Sequence, residues 1–199
     1  MTMSKTLGLT FSETMSGGFL LGATDPTAGE RQGNAHRSQL TLHCQVTIDD
    51  LDKFAQDPQH PGRLSGTVDF SPLATGIACS PGVFKLFCPA NAPDEKFMVY
   101  QLGFEVNGKS YFLAGKKIVR KGQETQVLHQ TTTLFTLLYE GNDTVGPIRG
   151  AGALHLGATN IAQLVETTRV INAENSFETM RGLAIYLKLF LGELWHTYL

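Results

Sequence analysis

The sequence predicts a mainly β protein: an antiparallel barrel of about eight strands, a sandwich being the alternative, with short helices and a long C-terminal helix. Three observations carry this. Period-two alternation recurs in short segments separated by turn residues. An Asn-Gly pair joins two of those segments at hairpin spacing. Near the end, apolar residues switch to spacings of three and four, the period of a helix.

Composition agrees. The chain has 199 residues, 42% apolar and only 17% charged, and is read as one domain over 1–199 with a terminal helix over 176–198. Low charge suits a sheet whose exposed faces carry Thr, Ser and Gln. The 21 glycines suit a curved sheet.

Taken in order, Leu7 to Met15 makes the first strand. Gly22–Arg37, with Asp25-Pro26, Gly29 and Gly33, reads as a mobile loop. Ser38 to Ile48 alternates, with Leu40, Leu42, Cys44, Val46 and Ile48 on one face. Thr47 caps a short helix through Asp50, Leu51 and Phe54, which Asp57-Pro58 stops. Arg63 to Phe70 points Leu64, Val68 and Phe70 inward. Ser71–Gly82 reads as a loop, and Val83 to Cys88 as a short strand.

The hairpin is the strongest local signal. Phe97 to Val106 and Lys109 to Val119 flank Asn107-Gly108, which supplies the positive φ angles of a type I′ turn. That register sets Val106 opposite Lys109, Phe104 opposite Tyr111 and Leu102 opposite Leu113. Met98, Tyr100, Leu102, Phe104, Tyr111 and Leu113 then share the core face. Thr131 to Glu140 and Ile148 to Leu156 are the last strands. A helix follows from Asn160 to Thr168, then the long one, where Asn175 and Glu178 resemble a capping box. Phe177, Met180, Ala184, Leu187, Leu191, Leu194 and Tyr198 mark its apolar face, and Leu183, Ile185, Phe190 and Trp195 widen it. So broad a face predicts cover on two sides: the sheet on one, and the preceding helix or a second subunit on the other.

Several function classes are disfavoured. The net charge is −2, and no basic patch interleaved with aromatics offers a phosphate footprint, so nucleic acid is not an expected partner. Lys116, Lys117, Arg120 and Lys121 read as a solvated strand edge that resists pairing. No window reaches membrane-span length. The start lacks an apolar signal segment, and the three cysteines, Cys44, Cys79 and Cys88, are odd in number. A reduced, cytoplasmic protein is the expectation.

No motif compels a chemistry. Gly150-Ala151-Gly152 lacks the third glycine and the following helix of a dinucleotide fingerprint, so no cofactor is expected. The histidines His36, His43, His60, His129, His155 and His196 lack metal-ligand spacing, and no metal is expected. His43 and His155 fall on outward strand positions. Cys44 falls on a buried face, where a thiol packs as a small hydrophobe. Glu13, Glu105 and Glu140 lie near strand ends, where two facing one cavity would serve acid–base work. Tyr100, Phe104 and Tyr111 are the candidate ligand-binding residues: they either line an apolar pocket or fill the core.

Several stretches taken together resemble a known module. They are Phe11-Ser12-Glu13-Thr14-Met15-Ser16-Gly17, Ile48-Asp49-Asp50-Leu51-Asp52-Lys53-Phe54 with Leu64-Ser65-Gly66-Thr67-Val68, Gly82-Val83-Phe84-Lys85-Leu86-Phe87, Thr131-Thr132-Thr133-Leu134-Phe135, and Phe190-Leu191-Gly192-Glu193-Leu194-Trp195. This order resembles the accessory, non-flavin region of large bacterial proteins similar to cholesterol oxidases of the glucose–methanol–choline family. The resemblance implies a stand-alone module of a kind that accompanies lipid- or sterol-directed enzymes, and it carries over no catalytic residue. Three readings stay open: a non-catalytic module that binds an apolar molecule or assists a lipid-acting enzyme, a small cofactor-free isomerase or cyclase, and a structural partner subunit. A homodimer or a lipid-acting enzyme is the expected protein partner.

Overall fold

The computed structural model describes residues 6–90, 92–120 and 131–198, and of Ile161 and residues 193–198 the backbone alone. The strands are β1 (Gly8–Leu21), β2 (Gln39–Ile48), β3 (Pro61–Phe70), β4 (Ala74–Ala78), β5 (Gly82–Pro89), β6 (Glu95–Val106), β7 (Lys109–Arg120), β8 (Thr133–Glu140), β9 (Ile148–His155) and β10 (Arg169–Ile171). The helices are α1 (Pro26–Ala35), α2 (Leu51–Gln56), α3 (Ala158–Thr167) and α4 (Ser176–Tyr198). The barrel runs β1-β2-β3-β5-β6-β7-β8-β9 and closes by pairing β9 back onto β1. All of its pairings are antiparallel, and β4 and β10 flank β3 and β1. The predicted barrel is therefore the fold.

Alternation explains the interior. Leu40, Leu42, Cys44, Val46 and Ile48 of β2 are all buried, as are Leu64, Val68 and Phe70 of β3. The Asn107-Gly108 turn has both φ angles positive, at 53° and 70°. Its register is the expected one, with Val106 against Lys109, Phe104 against Tyr111 and Leu102 against Leu113. In β5 a bulge between Lys85 and Cys88 breaks the alternation. Phe87 takes a φ of 48° there, and Leu86, Phe87 and Cys88 are buried in succession.

Four local expectations need correction. Gly22–Arg37 is not a loop but contains α1. Asp25 caps it through a 2.8 Å bond from the Ala28 N–H, and Pro26 occupies the first turn. Gly29 and Gly33 are its buried residues, and they let the helix lie directly on β1 and β9. A Cβ at Gly29 would sit 2.2 Å from the Ala151 carbonyl, and one at Gly33 would sit 2.3 Å from the Phe19 nitrogen. Asp50, not Thr47, caps α2, accepting from the Lys53 N–H at 3.0 Å. Ser71–Gly82 holds the short strand β4. The Asn175 cap does form, at 2.9 Å to the Glu178 N–H, but the Glu178 carboxylate reaches back to the Glu174 N–H.

The C-terminal helix packs against the barrel core. Tyr186 and Phe190 stack on one another, Tyr186 lies beside Phe11, and Phe190 packs against Phe87. Gly182 brings the helix close to Val170 and Leu51, and Arg181 pairs with Asp52 of α2 at 3.1 Å. Among the described residues of the single chain the second side stays open: Phe177 and Met180 are 77% and 70% exposed, and Leu187 and Leu191 about half exposed. The side chains of Leu194 and Tyr198 lie outside the described residues. Among the described residues no helix is long and apolar enough to cross a membrane.

A buried polar triad beneath an apolar cavity

The barrel seam explains where the cavity opens. Strand β1 pairs with β10 over Gly8–Thr10 and with β9 from Ser16 onward. Between these stretches its free edge meets α3 instead of a strand. The Ser12 N–H donates to the Thr167 hydroxyl at 3.0 Å. The gap leaves a cavity of about 540 Å³ between the barrel interior and helices α3 and α4, within the range of small-molecule sites.

Its walls are mostly apolar. Phe11, Phe84, Leu86 and Met98 come from the strands, and Leu164, Leu183 and Phe190 from the helices. Val165, Leu187 and Leu191 also line it and are exposed, so they form its rim. Three polar side chains, Glu13 of β1, Tyr100 of β6 and Lys117 of β7, meet at the inner wall and are almost fully buried.

Those three groups form one unit. The Tyr100 hydroxyl reaches both Glu13 carboxylate oxygens, at 3.1 and 3.2 Å. Lys117 Nζ donates to Glu13 Oε2 at 3.2 Å and lies 4.9 Å from the centre of the Tyr100 ring. Glu13 thus has an ion pair and a hydroxyl donor to offset the burial of its carboxylate. Burial pushes Tyr100 far above its ordinary value, and the Glu13 charge adds to the effect. Tyr186, which also lines the cavity, is raised for the same two reasons. Cys44, donating to the Glu13 backbone carbonyl, is held protonated by burial and by Glu13.

This placement corrects the reading of the basic cluster. Lys117 is no solvated edge charge: its side chain is 3% exposed inside the barrel. A closed barrel leaves β7 no edge to defend. Arg120 pairs with Glu95, Lys116 lies over the Phe97 ring, and Lys121 falls outside the described residues. Of the three glutamates only Glu13 faces the cavity, while Glu105 is exposed and Glu140 pairs with Arg149.

The candidate aromatics are divided. Tyr100 lines the cavity. Phe104 and Tyr111 stack on each other at 5.7 Å and are not among the residues lining it. Phe104 instead borders an open depression of about 350 Å³ with Ser80, Pro81 and Asn142. Glu13 and Lys117 escaped the sequence reading as a pair, although each sits at an inward position of its strand. Glu13 alternates with Phe11 and Met15, and Lys117 with Leu113 and Val119, all buried.

The histidines whose side chains are described lie elsewhere. His43 bridges Thr14 and Asp69 on the outer face, and His155 bridges Thr133 and Glu30 of α1. His60 is buried, with Nδ1 2.8 Å from the Leu86 carbonyl. His129 falls outside the described residues. Among the described residues no three His, Cys, Asp or Glu side chains converge as a metal site would require. All three cysteines are free; burial raises Cys79 to about 11 and also pushes Cys88 upward.

No protein-family model, no curated protein and no solved structure matches this chain.

Proposed function

We propose that this protein binds an apolar small molecule, lipid- or sterol-like in size and character, in the chamber under α3 and α4. The carrying observation is a cavity of about 540 Å³ with mostly apolar walls, whose two charged groups, Glu13 and Lys117, meet at Tyr100 on its inner wall; Thr131, Thr132, Thr168 and Tyr186 also line it. Such a site takes a largely hydrophobic body and orients it by a single polar end. The resemblance to the accessory region of cholesterol-oxidase-like proteins favours the same class of ligand. The chemistry is binding rather than turnover. Glu13 is engaged by the Tyr100 hydroxyl and the Lys117 ammonium, and burial holds the Tyr100 and Cys44 protons in place.

The test is a fluorescence titration of the full chain with an uncharged, environment-sensitive apolar dye. Saturable binding at one dye per chain is expected. Leu164→Trp and Leu183→Trp, which fill the cavity from the helices, should each weaken binding about tenfold or more, a change of roughly 1.4 kcal/mol. Phe104→Leu, at the far stack, should leave binding unaltered. Unsaturable binding, or binding indifferent to both tryptophans, would refute the proposal.

A further inference from the structure

The charge count of the cavity limits which polar end it accepts. Of the described residues lining it, only Glu13 and Lys117 carry a formal charge, and they neutralise each other at 3.2 Å. The remaining ionisable neighbours, Tyr100, Tyr186 and Cys44, stay protonated. An ammonium has three N–H donors. Among the described residues, Glu13 Oε2 is the one hydrogen-bond acceptor of Lys117. Among the described residues the ammonium therefore keeps donor capacity toward the cavity, whose other described side-chain oxygens, on Tyr100, Tyr186, Thr131, Thr132 and Thr168, make no hydrogen bond to it.

We infer that the site selects an uncharged apolar molecule ending in an acceptor oxygen, such as a ketone, ester or alcohol, and discriminates against the corresponding carboxylate. This rests on the binding reading above and sharpens it. An uncharged oxygen takes the spare Lys117 N–H and leaves the net charge of the described lining at zero. A carboxylate would place a second negative charge beside Glu13 in an apolar enclosure, where like charges repel strongly and each loses its hydration. A cationic end would meet Lys117 and be repelled in turn. An alkane would leave the ammonium donors unanswered, a loss that a site built around a polar group imposes on ligands lacking it.

The decisive experiment displaces the dye from the delipidated full chain at neutral pH with four ligands of equal chain length: alkane, alcohol, methyl ketone and fatty acid. The alcohol and ketone are expected to bind about tenfold or more tightly than the acid, and more tightly than the alkane. Glu13→Gln keeps the shape, leaves Lys117 as the sole charge, and should reverse the order so that the acid binds best. Should that variant fail to fold, Glu13→Leu combined with Lys117→Met and Tyr100→Phe leaves neither a lone charge nor a freed hydroxyl at the inner wall, and its expected signature is loss of the preference for alcohol over alkane. The inference is overturned if the wild-type protein binds acid as tightly as alcohol, or if the folded Glu13→Gln protein keeps the wild-type order. If no ligand displaces the dye and the dye itself does not saturate, the binding reading fails as a whole.

Discussion

At the scale of single residues, the buried Tyr100 and the partly buried Tyr186 make stability depend on alkaline pH. Tyr100 and Tyr186 are both raised above the ordinary value of 10.0 by burial, with Glu13 adding to each. Ionising Tyr100 would set a phenolate against the Glu13 carboxylate it now donates to. Below the unfolded value both states hold these protons, and the stabilisation is fully present. As pH climbs past about 10, the unfolded chain releases them while the folded chain retains them, so stability falls. Spectrophotometric titration alongside circular dichroism is expected to show the phenolate absorbance of these two tyrosines appearing only with unfolding. Ordinary ionisation of every tyrosine in a folded protein would contradict the geometry. The same residues show what was legible beforehand. Burial of Tyr100 follows from alternation in one hairpin. Its partnership with Glu13 and Lys117 joins β1, β6 and β7 across the barrel interior, and local pattern does not carry a contact of that range. The available sign was weaker: a Glu and a Lys each at an inward position of an otherwise apolar strand face.

At the scale of elements, most strands were readable because one buried face imposes a two-residue period. Helix α1 was missed for a physical reason. It docks through glycines rather than large apolar residues, so it has no hydrophobic stripe to betray it. The readable trace was Asp25-Pro26, a cap followed by a first-turn proline, with Gly29 and Gly33 one turn apart. The packing makes a sharp expectation. Gly29→Ala drives a methyl group into the Ala151 carbonyl, and Gly33→Ala into the Phe19 backbone. Alanine is the better helix former, so helix propensity alone would make both changes stabilising by up to about 1 kcal/mol. Backbone has little room to yield, and overpacking typically costs about 1–3 kcal/mol. The clash should win, lowering the urea midpoint of both variants without a change in slope. Gln32→Ala, on the exposed side of the same helix, should stay within about 0.5 kcal/mol. A stabilised Gly29→Ala protein would mean that α1 sits farther from the barrel than described.

At the scale of the whole molecule, the question is whether the closed barrel can stand without α4. Closure satisfies the strand hydrogen bonds whether or not the helix is present, which argues for independence. The apolar side chains argue the other way. Phe11, Phe84 and Phe87 are each 2% exposed or less. Phe11 touches the ring of Tyr186, and Phe87 that of Phe190. Leu183, Ile185, Tyr186, Leu189 and Phe190 all pack against the same core. Burying one large side chain fully contributes roughly 1.5–3 kcal/mol. Losing even half of that for the five helix residues, together with the exposure of the aromatics beneath them, reaches several kcal/mol. That is comparable with the total stability of an ordinary domain, about 5–15 kcal/mol. Deleting the chain from Ser176 onward should therefore give an insoluble or molten product that keeps strand signal by far-ultraviolet circular dichroism, loses near-ultraviolet signal and binds hydrophobic dye non-specifically. A truncated protein that is soluble, monomeric and cooperatively folded would show that the helix is a lid on a finished barrel. The exposed Phe177, Met180, Leu187 and Leu191 separate these roles further. Replacing all four with Ser or Gln removes no fully buried side chain, so the fold should survive it. Loss of cooperative unfolding in that variant would mean that the outer face, and not the aromatic stack beneath it, holds the helix in place.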